Sequence, residues 1–211
     1  MKYTPRLLFK MAFTMAFFFI FNGKAQTALK VNAPFLPLGM LGIAAEQPLS
    51  THYSLQAEVF VSPWKSFTGK NLQIYMGTLE GRYYFGEAMK RWYVGTYLSV
   101  AAFNLQKWNY WNDVAVVEES GDVAVLPDGT ERITEVYQKG FTFIAGVSGG
   151  YHFTVNEKLG LDLFVGIGTS QSLYKGYYKD NNQRYDNAEK WNKSGEVIPT
   201  RGGLMVTYTF H

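Results

Sequence analysis

From Gly203 to Phe210 the chain alternates without a break. Leu204, Val206, Tyr208 and Phe210 share one phase, and Gly203, Met205, Thr207 and Thr209 share the other. Neighbouring strand side chains point to opposite faces, so this run predicts a sheet with one apolar side and one small or polar side. Aromatics close the apolar side, which is how a strand that meets lipid reads.

The opposite end of the chain agrees with that reading. Lys2, Arg6 and Lys10 give a basic start, an apolar stretch runs from Met11 to Phe21, and Gly23-Lys24-Ala25 is a small-x-small tripeptide. That order predicts a secretory signal peptide over residues 1–25, with an apolar stretch too short for a spanning helix. The segment carries four of the 20 bases and none of the 17 acids, leaving 16 against 17, a net charge of about −1. The apparent basicity therefore belongs to the export signal, and nothing in the mature chain argues for a nucleic-acid partner. With no cysteine in the chain, lipid attachment at the cleavage site, a disulfide framework and thiol chemistry are all excluded.

Residues 26–211 contain no apolar run of helical spanning length, so a bilayer crossing has to be made by a closed sheet. Eight alternating segments are legible. They begin at Thr27 to Ala33, Leu38 to Glu46 and a third segment through Tyr53 and Val61, then Asn71 to Phe85 and Trp92 to Asn104. The sixth runs through Phe141 and Phe153, the seventh through Leu161 and Ser170, and the eighth is the run already described. In the fourth, the phase that points Leu79, Tyr83 and Phe85 outward sends Leu72, Ile74 and Met76 inward. Either a β-bulge near Gly77 or a strand end beyond the bilayer accounts for that.

Compact turns around Gln47-Pro48, Gly86-Glu87 and Asn156-Glu157 alternate with longer connections, a pattern that places both termini in the periplasm. The expected fold is all-β, an eight-stranded antiparallel transmembrane β-barrel of up-and-down topology. A soluble lipocalin-like cup would need the opposite arrangement, large apolar side chains inside and polar ones outside. An acidic outer hairpin is expected over about 107–139, with a turn at Asp128-Gly129.

Eight strands leave an interior that side chains can fill. The inward phase supplies Lys30 and Arg82 against Glu46, Glu58, Glu80 and Asp162, so a paired polar network is expected there, centred on Glu80 and Arg82. A catalytic reading finds little support. His52 and His152 fall toward the periplasmic end, His211 is terminal, and Ser148 lies roughly 13 Å along the strand from His152. No metal-ligand cluster or cofactor motif is visible.

In the loops, the stretch from Lys107 to Lys139 has seven acids and three bases, and that from Lys175 to Arg201 six bases and four acids. Opposite charges of this kind hold loops together, or else Lys179, Arg184, Lys190 and Lys193 meet lipopolysaccharide phosphates. Trp108, Tyr110, Trp111, Tyr177, Tyr178 and Trp191 suit either a sugar-stacking surface or an outer aromatic girdle.

Several runs carry a resemblance: Ala28-Leu29-Lys30-Val31-Asn32, Tyr53-Ser54-Leu55-Gln56 ahead of Pro63-Trp64, Glu80-Gly81-Arg82-Tyr83-Tyr84-Phe85 and Trp92-Tyr93-Val94-Gly95. Together with the glycine-rich sixth and seventh segments, they resemble a family of Gram-negative outer-membrane barrels, domain of unknown function 3575. The resemblance implies an OmpA-like barrel and no activity, and by analogy an association with envelope or fimbria-type assemblies. The long acidic insertion departs from the family.

The expected role is therefore a small non-enzymatic outer-membrane barrel with structural or surface-interaction duties. A narrow channel and a lipid-modifying enzyme are the alternatives. Expected partners are outer-membrane lipid and lipopolysaccharide, a surface protein or glycan, and the barrel-insertion machinery, which would read Tyr208 and Phe210 as the assembly signal.

Overall fold

A computed structural model of the chain describes residues 27–64, 69–106, 114–116, 123–125, 129–185 and 190–210. The expected signal peptide, His211, Trp108, Tyr110, Trp111, Asp128 and about half of the acidic loop lie outside the described residues.

In chain order the strands are β1 (Thr27–Asn32), β2 (Leu41–Pro48), β3 (Tyr53–Ser62), β4 (Leu72–Tyr84) and β5 (Arg91–Leu105). There follow β6 (Val114–Ala115), β7 (Ile133–Thr134), β8 (Val136–Thr154), β9 (Leu159–Tyr178) and β10 (Asn192–Phe210). The short β6 and β7 form a separate two-stranded ribbon. The other eight pair antiparallel with their sequence neighbours, and β10 closes onto β1 from Thr27↔Phe210 to Asn32↔Met205. The result is a closed eight-stranded up-and-down barrel.

The alternation survives intact in three dimensions. Inward residues of β5, such as Tyr93, Tyr97, Ser99 and Ala101, are buried, while Trp92, Val94, Leu98 and Val100 are exposed on the outer surface. Glycine makes the interior possible where large rings enter it. A Cβ on Gly150 would sit 2.5 Å from the Tyr93 ring, and one on Gly168 would sit 3.0 Å from the Tyr97 hydroxyl, so the glycine-rich β8 and β9 are the recesses for these tyrosines.

At one end the connections are tight and joined to each other. The amides of Tyr84 and Ala88 donate to the carbonyls of His52 and Thr51 at 2.8 and 2.7 Å, and His52 Nδ1 lies 2.5 Å from the Gly86 carbonyl. Asn156 Oδ1 accepts from the amides of Lys158 and Leu159, closing the β8–β9 turn in the local way asparagine favours. Around this turn end runs an aromatic band: Tyr53 on Tyr83 at 5.2 Å, Trp92 on Tyr151 at 4.9 Å, and Tyr208 on Phe210 at 4.9 Å.

At the other, loop end the wall is uneven. β1, β2 and β3 have 6, 8 and 10 residues, whereas β8, β9 and β10 have 19, 20 and 19. Strand β10 pairs with β9 from Asn192 to Tyr208 but with β1 only from Met205 to Phe210. Among the described residues, Asn192–Leu204 thus has a free edge on the β1 side. It carries Pro199 and a register shift between Pro199 and Arg201, both devices that suit an unpaired edge. A 3-10 turn, Ala33–Leu38, spans the top of the short wall, and the Trp64 indole N–H pins it by donating to the Gly39 carbonyl.

Two sequence expectations change. The final strand begins at Asn192 rather than Gly203, and β9 runs to Tyr178, so most of the stretch read as a basic loop from Lys175 to Arg201 is sheet. Outward residues there, such as Lys175 and Lys193, are polar, so the hydrophobic period fades while backbone pairing continues. The puzzle in β4 also resolves. Its register to β3 and β5 has no shift, so there is no bulge at Gly77, and Ile74 and Met76 do point into the lumen.

Candidate functional site

The lumen has two storeys. The lower one, nearer the turn end, is ionic. Lys30, Glu46, Glu58, Glu80, Arg82 and Asp162 all lie inside, none more than 6% exposed. Lys30 Nζ pairs with Glu46 and, at 2.5 Å, with Asp162. The Arg82 guanidinium spreads over three carboxylates, reaching Asp162 at 2.7 Å, Glu80 at 2.8 Å and Glu46 at 3.3 Å. One planar fork satisfying three acids is a task that arginine geometry performs and lysine does not.

A third base completes the network. Arg201, read as the end of the basic loop, lies in the lumen. It pairs with Glu58 and, at 3.0 Å, with Glu80, so Glu80 links the two arginines. Extending the alternation of the last strand by one step, from Met205 through Gly203 to Arg201, would have found it. Three bases then face four acids, and neutral donors supply the remaining contacts. The hydroxyls of Tyr84 and Tyr93 donate to Glu46 and Asp162 at 2.7 and 2.8 Å, and those of Ser54 and Ser148 donate to Glu46 and Glu80. Arg82 also lies over the Tyr93 ring at 4.3 Å, and Arg201 over Phe164 at 4.9 Å. Buried charges paired this closely fill the lower lumen, although Arg82 Nε and Arg201 Nε lack a hydrogen-bond partner.

The upper storey is apolar. A cavity of about 290 Å³ sits above Glu58 and Arg201. Phe60, Ile74, Met76, Phe103 and Ile144 wall it, with Phe35 from the 3-10 turn and Ile198 from the free edge at its mouth. Phe35 packs edge-on against Phe60 at 5.4 Å.

Neither storey assembles a nucleophile and a base. Ser148 spends its hydroxyl on Glu80, the buried His152 Nδ1 has no hydrogen-bond partner, and His52 lies in the turns. Among the described residues no three histidine or acidic side chains group as metal ligands.

Outside the lumen, the loops exchange charges crosswise. Arg132 from the acidic stretch pairs with Asp180, and Lys179 from the basic stretch pairs with Glu135. The hydrogen bond from Lys179 holds the Glu135 carboxyl below its usual range. A depressed carboxylate contributes stability above its unfolded pKa and loses it as the pH falls through the folded value. The Lys179–Glu135 pair is therefore expected to be whole at neutral pH and to weaken only below the ordinary glutamate range. A lower protection factor at the Lys179 amide, which donates to the Glu135 carbonyl at 2.8 Å, would report the opening once the acid slowing of intrinsic exchange is divided out. Glu135→Gln should remove that pH dependence at a cost of about 1 kcal/mol or less, as for other exposed pairs.

The aromatic residues of the last connection are engaged too. Tyr177 stacks on Tyr137 at 5.4 Å, Tyr178 is buried against Val116, Ala124 and Val136, and Lys175 lies over Trp191 at 4.7 Å.

No curated protein matches the chain. A family described as "Protein of unknown function (DUF3575)" matches residues 9–210. With nearly the whole chain covered, the protein belongs to the DUF3575 family.

Proposed function

We propose that the protein is an outer-membrane β-barrel, non-enzymatic and closed to solutes, whose duties are structural and at the cell surface. One observation carries this reading: seven ion-paired side chains are buried inside a barrel whose outer surface is built of large apolar ones. In water such a barrel would be inside out. The outer surface also has the right height. From Tyr151 in the turn-end band to Phe141 on the same strand is ten residues, about 33 Å along the strand and roughly 25 Å along a barrel axis at the usual tilt.

The ionic storey argues against conduction. A planar bilayer containing the purified protein should stay silent, and steady conductance altered by Glu80→Gln would favour a narrow channel instead.

Topology offers the direct test, because the chain has no cysteine of its own. In intact cells a cysteine at Thr130 should react with a membrane-impermeant maleimide, and one at Glu157 should react only after the outer membrane is permeabilised. The reverse pattern, or labelling of neither, would contradict the reading.

Lipopolysaccharide is the partner the outer rim suits best. Lys139 and Lys175 stand directly opposite each other across β8 and β9, and Lys193 lies beside Leu173 on the next strand. Like charges facing each other are unfavourable unless an anion lies between them. Among the described residues no carboxylate pairs with any of the three. Of the basic residues the sequence suggests, Lys179 is already engaged by Glu135, while Lys193 belongs to this outward trio. Replacing all three by glutamine should weaken binding to vesicles bearing lipid phosphates by about 1 kcal/mol per lysine, measured by co-sedimentation.

A further inference from the structure

The upper storey of the lumen has no part in the reading above, and it is unlike the rest of the interior. Where the lower lumen is charged, Phe60, Ile74, Met76, Phe103 and Ile144 leave an apolar cavity of about 290 Å³ unfilled. An apolar cavity of about 150 Å³ stays dry and takes a benzene-sized guest, so this one has room for a guest of about twice that size. The barrel wall beside it is also incomplete. Ile198 and Pro199, which line the cavity, lie on the stretch of β10 with no strand partner on the β1 side, and across the gap stands Phe35 of the 3-10 turn.

A polar atom is aimed into the same space. Asn32 is 2% exposed and lines the cavity, and its side-chain oxygen has no hydrogen-bond partner. A buried acceptor left unpaired is unfavourable, and a donor on a guest would remove that cost.

We propose that this cavity binds one hydrocarbon chain of an outer-leaflet amphiphile, admitted sideways between the free edge of β10 and the 3-10 turn, with a hydroxyl or amide on the guest donating to Asn32. The proposal rests on the membrane reading, since only a barrel embedded in lipid has hydrocarbon at that opening. Six residues of β1 wall reach roughly 15 Å along the axis from the turn end, against a hydrocarbon band of about 25 Å. The gap above β1 therefore falls within the outer half of that band. A peptide strand added to the open edge is the less favoured occupant, because Pro199 offers no amide there and the register shift bends the edge.

The test uses the folded protein in phospholipid nanodiscs, with isoleucine methyl groups observed by NMR while 1-decanol is titrated in. Ile74, Ile144 and Ile198 should shift saturably, while Ile43 and Ile167 on the outer surface, each at least 44% exposed, should drift linearly. Asn32→Leu should weaken decanol at least tenfold and leave decane unchanged. Ala101→Trp should fill much of the space and abolish saturation, and Ala101→Phe provides a smaller block should the first variant fail to fold.

A nitroxide on a phospholipid chain should broaden Ile144, inside the wall, at least as strongly as the outward Ile167. If decanol saturates the site without such broadening, sideways admission of a lipid chain is overturned. If the three methyls stay silent in a protein that remains membrane-embedded, the site itself is overturned. If added peptide protects the free β10 amides from exchange while those methyls stay silent, the edge belongs to strand addition. A protein that never enters the nanodisc sinks the membrane reading instead, so the two failures are distinguishable.

Discussion

Arg82→Met should destabilise the barrel by about 3–5 kcal/mol, the cost of removing one partner from a buried charge cluster. Among the described residues the guanidinium is the only group that touches Glu46, Glu80 and Asp162 together, and without it two bases face four acids in the lumen. Methionine restores much of the volume, so the loss is electrostatic rather than a matter of packing. Two further variants separate these contributions. Arg82→Lys keeps the charge but cannot span three carboxylates, and should fall between wild type and methionine. Adding Asp162→Asn to Arg82→Met lowers the excess of acids over bases from two to one and should recover part of the loss. Urea unfolding in lipid vesicles, followed by tryptophan fluorescence, measures all three. Equal stability of wild type and Arg82→Met would mean that the lower lumen is wet enough for water to replace the network.

The second large effect is on the outer surface, and its size depends on the solvent there. Leu98 is 68% exposed, six residues above Trp92 in the turn-end band, near the middle of the apolar wall. In a bilayer Leu98→Arg should cost about 2–4 kcal/mol, because the charge sits near the midplane. In a water-soluble barrel the same substitution of an exposed residue would stay within about 0.5 kcal/mol. Glu87→Arg provides the control at a turn residue exposed to water, where its pairing with Lys90 is a surface contact and little change is expected.

Much of this barrel is legible in the sequence because a period of two cannot be shifted by one residue without turning every side chain to the wrong face. Strand number, strand order and the burial of Lys30, Glu46, Glu80, Arg82 and Asp162 follow from that. What the alternation does not carry is the region where outward and inward residues stop differing in polarity. Above Arg201, β10 presents Glu196, Val197, Ile198 and Pro199 on a free edge where both faces are open, so no pattern marks it as strand. In β4 the pattern is clear but its meaning is reversed. Ile74 and Met76 are apolar and inward because they wall a cavity, and only the register to β3 and β5 separates that from a bulge. Arg201 escaped for a third reason, since an arginine next to a long polar stretch looks like loop until the phase of Met205 and Gly203 is carried up to it.

An apolar exterior around an ionic interior is the arrangement from which we propose an integral outer-membrane protein. The most direct measurement is the gel mobility of the protein from urea-washed outer membranes, with and without boiling. A folded membrane barrel should stay with the membranes through the wash, run fast unheated and slow after heating. Release by urea as a protein that remains folded and soluble without detergent would contradict it.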